Sequence, residues 1–302
     1  MPHCGTFVEY GLRLQYSESG LARWWRNRQV APRIPIRQRR RVAGGGPERK
    51  GGCGAESARA APVMDILQTV CVPVRSQLRC VLFDLDGTLL DIDGEQFLDD
   101  YVMAFAQYFS HWGDAATFQH VVMAASVPIF HDHPDLTNGE VFRRHLARHL
   151  DVSEDVVARE MARLHRETLP SLPIPRAPVA AARPCVEAAM EQGYRVAVAT
   201  TPIYPPDAIA LRLRWAGLDD IPWSLITHSE NMHACKPDVA YYREVAELVG
   251  CSPEQCLMIG DDRLQDMPAA KCGMFVYWTR AKADTGDIWG GPLAHLTRFF
   301  QG

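Results

Sequence analysis

The fold is decided by residues 80–90, whose sequence is CVLFDLDGTLL. The first four of these residues form an apolar run that is typical of a buried strand. Asp84 and Asp86 follow it two positions apart, and Gly87 lets the backbone turn sharply behind them. Paired carboxylates at a strand end offer a nucleophile and a proton donor to the same small substrate. An ordinary strand end with an Asp-Gly turn is the alternative that this stretch alone leaves open.

The chain that follows is predicted to be helical. Apolar residues recur at helical spacing over Gln96–Ser110, Asn138–Leu150 and Ser153–Leu169. We predict no strand between residues 92 and 180, and the proline-rich segment LPSLPIPRAP, residues 169–178, is typical of a hinge or linker. The pattern therefore indicates a helical subdomain that is inserted directly after the first strand.

The rest of the chain alternates between strands and helices. We predict strands at Tyr194–Thr200, Ser224–Thr227, Cys256–Gly260 and Met274–Trp278, and helices at Pro184–Gln192, Asp207–Ala216, Tyr241–Val249 and about Gln265–Cys272. Such alternation implies right-handed crossovers and a parallel sheet. The predicted fold class is therefore α/β, with an open, doubly wound parallel sheet. The sequence SPEQ, residues 252–255, predicts a capping box before the third of these strands.

Two of these strands end in further candidate site residues, and ligands bind at the carboxyl ends of strands in open parallel sheets. Thr200 and Thr201 could supply a hydroxyl group and backbone N–H groups to phosphate oxygens, although threonine is an ordinary strand residue. Asp261, Asp262 and Asp266 place three carboxylates within six residues. An oxygen-only set of this kind indicates Mg²⁺, and the alternative is an acidic helix N-terminus.

Lys236 is a candidate because lysine is rare in this chain. The four lysines are Lys50, Lys236, Lys271 and Lys282, among 32 lysines and arginines. A single lysine is usually a surface residue. Because the chain uses arginine nearly everywhere else, a retained lysine before Pro237 suggests that a compact point charge is needed there.

Taken in order, these motifs resemble those of the haloacid dehalogenase-like hydrolase superfamily over residues 79 to about 280. The resemblance implies a Rossmann-like core and identifies the helical insertion as a C1-type cap. It implies that Asp84 is the nucleophile and that Asp86 is the general acid and base. The implied phosphate-binding residues are Gly87, Thr200, Thr201 and Lys236, and the implied Mg²⁺ ligands are Asp84, Asp86 through its backbone carbonyl, Asp261, Asp262 and Asp266.

The resemblance implies a Mg²⁺-dependent phosphatase that acts on a small phosphorylated metabolite through an aspartyl-phosphate. The superfamily's dehalogenases lack the second carboxylate, which Asp86 supplies here. Its carbon–phosphorus hydrolases need a lysine in the cap, and residues 92–180 contain none. A phosphomutase and a catalytically idle binding module stay open as alternatives.

Charge divides the chain unevenly. Residues 1–60 carry 12 Lys and Arg against 4 Asp and Glu, which leaves 20 against 32 in residues 61–302. We predict that residues 1–76 are a disordered basic extension, residues 77–91 and 181–302 the core, and residues 92–180 the cap. The extension could be a solvated tail, sequence translated from a start codon placed too early, or a nucleic-acid arm built on Arg37–Arg41. Because every motif lies after residue 79, we expect no nucleic-acid partner.

The remaining expectations concern location and the predicted cap. No run of 18 apolar residues is present, so no membrane span is predicted. Nine cysteines without a Cys-x-x-Cys pair favour a reducing cytoplasm. His131, Asp132, His133 and Asp135 could bind zinc, but a solvated or substrate-lining loop is the preferred interpretation. Asp91, Asp93 and Gln96, close to the first motif, are candidates for substrate selection.

Overall fold

The computed structural model describes residues 72–112, 115–282 and 288–302. The prediction of disorder for residues 1–76 falls almost entirely outside these ranges. Within them, the first regular element is a 3-10 helix at Arg75–Gln77. Arg75 donates a hydrogen bond of 3.2 Å from Nη1 to the carbonyl oxygen of Phe300. This bond ties the first described residues to the last helix.

The described ranges contain seven strands. They are β1 (Cys80–Phe83), β2 (Leu90–Ile92), β3 (Arg176–Pro178), β4 (Arg195–Val198), β5 (Leu225–Ile226), β6 (Cys256–Gly260) and β7 (Phe275–Trp278). Five of them form one parallel sheet in the order β5-β4-β1-β6-β7. The central strand β1 has no exposed residue, as expected for a parallel sheet covered on both faces. The predicted α/β fold with an open parallel sheet is confirmed.

Eight α-helices lie in the same ranges. They are α1 (Gly94–Tyr108), α2 (Ala115–Ser126), α3 (Asn138–Leu150), α4 (Glu154–Glu167), α5 (Ala182–Glu191), α6 (Pro206–Ala216), α7 (Val239–Leu248) and α8 (Leu293–Gln301). Helix α7 packs through Tyr241 and Val245 into one buried cluster with Leu82 of β1. Helix α5 packs against β4 and α8. None of the described helices has the length and apolar character needed to cross a membrane.

Helices α1 to α4 lie between β2 and β3, which pair with each other in antiparallel orientation, Leu90 with Pro178 and Ile92 with Arg176. The prediction that no strand lies between residues 92 and 180 was therefore wrong. Three residues are too few to show the two-residue period of a strand, and Pro178 lacks a backbone N–H. The pairing with β2, supplied by the tertiary fold, makes this segment a strand.

Other differences from the prediction are also local. Helices α2 and α8 were not predicted, and the helix expected at about Gln265–Cys272 is a 3-10 helix over Met267–Cys272. The capping box at Ser252 is confirmed, and it begins a 3-10 helix at Pro253–Gln255. Strand β6 covers the predicted residues without any shift.

Candidate active site

The candidate residues meet at the carboxyl edge of the parallel sheet. Asp84 directly follows β1, and its backbone N–H donates to the carbonyl oxygen of Ile259 in β6 at 2.8 Å. Asp261 directly follows β6, and Thr200 lies two residues beyond β4. Since β4 and β6 are the two neighbours of β1, the ends of these three strands are adjacent. The sheet thus brings together residues that are more than a hundred positions apart in the chain.

Lys236 lies between two carboxylates at this edge. Its Nζ atom donates to Asp84 Oδ1 at 2.8 Å and to Asp266 Oδ1 at 2.6 Å. Both Lys236 and Asp266 are 1% exposed. Burial lowers the pKa of Lys236, but the two carboxylates outweigh burial and hold it well above its usual value. We call Lys236, Asp84 and Asp266 the Lys236 group.

A third carboxylate completes a compact set of oxygen atoms. Asp84, Asp261 and Asp266 each offer a carboxylate oxygen within 4.8 Å of the other two. Burial, followed by the charge of Asp84, raises the pKa of Asp261 to about 6, although Arg280 binds its Oδ2 at 2.6 Å and opposes that shift. Buried carboxylates that repel one another in this way are stabilised by a cation. A donor set made only of oxygen fits Mg²⁺.

Gly87 leaves the space that this set requires. Its φ angle is +82°, and a Cβ atom at this position would collide with the carboxylate of Asp261. Its backbone N–H donates to the carbonyl oxygen of Leu90 at 2.8 Å. Gly87 therefore turns the chain and allows a close approach to Asp261 that no other residue would permit.

Asp262 stands apart from the carboxylate set. Its Oδ1 atom accepts from the backbone N–H groups of Leu264 at 2.7 Å and Gln265 at 3.2 Å. Its own N–H donates to Asp266 Oδ2 at 3.0 Å. Asp262 thus shapes the turn that presents Asp266, whereas Asp261 and Asp266 enter the set directly.

Backbone contacts fix the loop of the two predicted phosphate-binding threonines. Thr200 is 3% exposed, and its carbonyl oxygen accepts from Thr227 Oγ1 at 2.9 Å and from the Tyr241 hydroxyl at 2.8 Å. Thr201 is half-buried, and its carbonyl oxygen accepts from the N–H of Ile203 at 2.9 Å. These bonds hold the loop beside Asp84 at the edge of the sheet.

Asp86 turns away from the carboxylate set and pairs with an arginine. Its Oδ2 atom forms an ion pair with Nη1 of Arg212 in α6. Arg212 has no exposed surface, and its guanidinium carbon lies 4.8 Å from the ring centre of Phe97 and 4.3 Å from that of Tyr204. Burial raises the pKa of Asp86, and Arg212 opposes that shift. We call Arg212, Asp86, Phe97 and Tyr204 the Arg212 group.

Sequence reasoning missed Arg212 and Arg280, although each occupies a position that could have been noticed. Arg212 lies on the apolar side of α6, four residues after Ala208 and four before Ala216, both of which are buried. A charged residue in such a row requires a buried partner. Arg280 lies two residues beyond β7, as Thr200 lies two residues beyond β4.

The start of α3 contacts the two loops that carry Thr200 and Lys236. Asn138 is fully buried, and its Nδ2 atom donates to the carbonyl oxygens of Pro202 at 3.0 Å and Ala234 at 3.3 Å. The backbone N–H of the next residue, Gly139, donates to the carbonyl oxygen of Ser229 at 2.7 Å. The helical insertion therefore touches the sheet edge at a second place, away from its β2 and β3 ends.

A cavity of about 420 Å³ lies beside β2 and β3. Its lining includes the predicted substrate-selecting residues Asp91, Asp93 and Gln96, together with Arg176. The Oδ1 atom of Asp93 is occupied in part, because it accepts from the N–H groups that begin α1. These residues therefore do border an open space at the entry to the insertion.

The histidine loop offers no comparable set of ligands. Both ring nitrogens of His133 lie 2.9 Å from backbone carbonyl oxygens, those of Leu136 and Ile129. Within the described ranges, the set of Asp84, Asp261 and Asp266 is the one group of three or more His, Cys, Asp or Glu residues with metal-binding spacing. The preferred interpretation of residues 131–135, a solvated or substrate-lining loop, stays a prediction.

A family model described as haloacid dehalogenase-like hydrolase matches residues 78–273, which include all four sequence motifs. Phosphatase MT3486 of Mycobacterium tuberculosis (strain CDC 1551 / Oshkosh) is 34% identical over 122 residues, which cover 40% of this chain and 55% of that protein. The match thus spans about half the length of this relative.

Similar solved structures include a HAD phosphatase from Thermococcus onnurineus, with a TM-score of 0.46 and 18% identity, over 74% of this chain and 99% of that one. An L-2-haloacid dehalogenase from Xanthobacter autotrophicus has a TM-score of 0.44 and 17% identity, over 74% and 99%.

Proposed function

Because the chain belongs to the haloacid dehalogenase-like hydrolase family, we propose that it is a Mg²⁺-dependent phosphatase of small phosphorylated metabolites. The observation that carries this proposal is the set of Asp84, Asp261 and Asp266, which presents three carboxylate ligands, two buried and one half-buried, beside Lys236. The partial relative that is named a phosphatase supports the reaction class.

In the first step, the Asp84 carboxylate attacks phosphorus and the bond from phosphorus to the substrate oxygen breaks. The products are an aspartyl-phosphate on Asp84 and the substrate alcohol, which takes its proton from Asp86. Burial raises the pKa of Asp86, with Arg212 opposing, and this direction favours the protonated form that the step uses. Lys236 and the loop of Thr200 and Thr201 hold the phosphoryl oxygens, and Gly87 gives them room.

In the second step, water attacks the aspartyl-phosphate and gives a proton to Asp86. Inorganic phosphate leaves, and the Asp84 carboxylate is restored. Asp84, Asp261 and Asp266 would hold Mg²⁺, together with the backbone carbonyl of Asp86, and Asp262 would support Asp266 from its turn. The bound ion would offset the negative charge of the phosphoryl group as it approaches these carboxylates.

We also propose that the chain is divided into a core and a cap. Residues 77–91 and 181–302 form the core, and residues 92–180 form a C1-type cap that covers the site and selects the substrate. This division is supported by the β2–β3 pair, which lies where the chain leaves the core and where it returns. The cavity beside that pair and the contacts of Asn138 support it as well. Removing residues 1–63 should leave hydrolysis intact, because no proposed site residue lies there.

Cysteine chemistry supports a cytoplasmic location. The described cysteines Cys80, Cys185, Cys235, Cys251, Cys256 and Cys272 are free thiols. Free thiols without disulfides are typical of proteins from a reducing compartment.

The proposal is tested by incubating the purified protein with a panel of phosphorylated metabolites and an aryl phosphate, with Mg²⁺ and with a chelator. We expect phosphate release from the aryl phosphate and at least one metabolite, only with Mg²⁺. Asp84→Asn should abolish it. Asp220→Asn is the matched control, because Asp220 is an exposed carboxylate paired with Arg183 and should leave turnover unchanged.

The alternatives predict different results. A phosphomutase would convert a sugar phosphate into an isomer with little phosphate release. A catalytically idle binding module would release no phosphate from any member of the panel. Undiminished turnover by Asp84→Asn would remove Asp84 as the nucleophile.

A further inference from the structure

Asp86 and Arg212 are joined through one hydrogen-bonded contact, although a carboxylate and a guanidinium can form two. A guanidinium and a carboxylate commonly pair through two parallel hydrogen bonds. Here Nη1 of Arg212 binds Oδ2 of Asp86. Nη2 of Arg212 and Oδ1 of Asp86 are both buried and have no hydrogen-bond partner. One donor and one acceptor of the pair are therefore left over.

Buried polar atoms without partners are uncommon, because each loses its hydrogen bonds to water. Two of them in one ion pair show that Arg212 engages one oxygen of Asp86 and leaves the other oxygen without a partner. In the proposed first step, the alcohol oxygen that leaves phosphorus receives its proton from Asp86. Oδ1 is the oxygen that can perform this transfer, because Oδ2 is held by Arg212.

Arg212 itself is held firmly. It has no exposed surface and lies against the rings of Phe97 and Tyr204. The rings of Phe97 and Tyr204 also contact each other, with centres 5.3 Å apart. A guanidinium can make cation–π contacts with two rings while its N–H groups bind a carboxylate in a defined direction, whereas a lysine ammonium is a point charge without such a direction. Phe97 belongs to α1, so this packing connects Asp86 to the helical insertion.

We propose that Arg212 is the positioning residue of the acid and base: it holds Asp86 by Oδ2, keeps Oδ1 directed at the leaving oxygen and connects this carboxylate to the insertion through Phe97. This inference rests on the proposed phosphatase function. It assigns to Arg212 a role in the rate of proton transfer, beyond its part in packing.

The test is a double-mutant cycle of Arg212→Met and Asp86→Asn, measured with an aryl phosphate and with an alkyl phosphate. An alkyl alcohol is the poorer leaving group, so it depends more on proton donation. We expect Arg212→Met to lower kcat about 100-fold for the alkyl phosphate and about 10-fold or less for the aryl phosphate, with KM little changed. Within the Asp86→Asn background, the same change should lower kcat less than about 3-fold. Arg214→Met, an exposed change in the same helix, is the matched control.

Losses that multiply in the double variant, or that are equal for the two substrates, would overturn the positioning role. If Arg212→Met does not fold, the comparison of Asp86→Asn with the double variant decides, because the double variant removes both buried charges. A drop in kcat of more than about 10-fold between those two overturns the inference, and equal values support it. A wild-type protein without any hydrolysis would instead refute the proposed function.

Discussion

Two buried cations lie at the carboxyl edge of this sheet, and they are held in different ways. In the Lys236 group, one ammonium is shared by Asp84 and Asp266, which follow β1 and β6 of the core sheet. In the Arg212 group, a guanidinium has a single contact to Asp86 and lies against two aromatic rings, one of them from the helical insertion.

The different surroundings of Lys236 and Arg212 indicate different roles for the two cations. An ammonium is a compact charge without a preferred direction, and two carboxylates need it as a balance. A guanidinium that lies against two rings is held in place, so it can fix the direction of the carboxylate that it binds. We therefore expect changes at Lys236 to affect stability and phosphate binding, and changes at Arg212 to affect the rate of proton transfer.

After Asp84→Asn, which should abolish hydrolysis, the largest effect should come from Asp86→Asn, which keeps the shape of the side chain but removes its acid and base. We expect kcat for an alkyl phosphate to fall by about 10²- to 10⁴-fold. The Mg²⁺ concentration for half-maximal activity should stay the same, because the backbone carbonyl is kept. A loss of only a few fold would mean that another residue is the general acid. A large rise in the Mg²⁺ requirement would mean that the Asp86 side chain also contributes to Mg²⁺ binding, so the two groups would not be separate.

Lys236→Met should cost about 3–5 kcal/mol of unfolding free energy, because it leaves two buried carboxylates without their shared cation. Urea unfolding measures this loss. Lys271→Met, a change at an exposed lysine, is the control and should have little effect. Added Mg²⁺ should recover part of the stability, since it supplies the missing positive charge. A stable Lys236→Met protein would contradict the charge-balancing role.

Acid should destabilise the packing around the Arg212 group, because His165 becomes protonated. This residue is 5% exposed, and its Nε2 atom lies 2.7 Å from the hydroxyl of Tyr101, whose ring stacks on Phe97. Burial lowers the pKa of His165 to about 4, with Asp207 opposing. The unfolded chain therefore takes up a proton at a higher pH than the folded protein. Stability should fall by about 3 kcal/mol as the pH drops from about 6.5 to 4.

The measurement is the free energy of urea unfolding at pH 7 and pH 4. In His165→Gln the decrease between these two values should be smaller, whereas in His149→Gln, a change at an exposed histidine, it should be unchanged. As the pH falls, the protection factors against hydrogen exchange should decrease at a higher pH in α1 than in β6, because α1 contributes aromatic residues that pack beside His165. Equal decreases in the wild type and His165→Gln would remove His165 as the cause.

The smallest effect should come from Phe97→Leu, which removes one of the rings beside Arg212. We expect a loss of about 1–2 kcal/mol in stability and a few-fold loss in kcat for the alkyl phosphate. Phe118→Leu is the matched control: it changes a buried ring of α2 that stacks on Phe109. The control should cost similar stability without a change in kcat. A similar loss of kcat in both variants would place Phe97 outside the Arg212 group.

Much of the core and of the site's membership could be predicted from the sequence. The apolar run of β1, the alternation of strands and helices and the candidate residues Asp84, Thr200, Lys236, Asp261 and Asp266 are all local patterns. Parallel strands place their carboxyl ends at one edge, so residues after those strands meet without further information. For this reason Asp84 and Asp261 could be assigned to one site before any coordinates were known.

The tertiary structure decided the contacts that have no local pattern. Strand β3 consists of three residues that become a strand only by pairing with β2. Arg212 lies in an otherwise ordinary helix and pairs with a residue 126 positions away. Asp262 and Asp266 look equivalent in the sequence, and only the turn directs one to the carboxylate set. Thus strand ends and charges are determined by neighbouring residues, whereas the partner of each charge depends on which distant segments pack together.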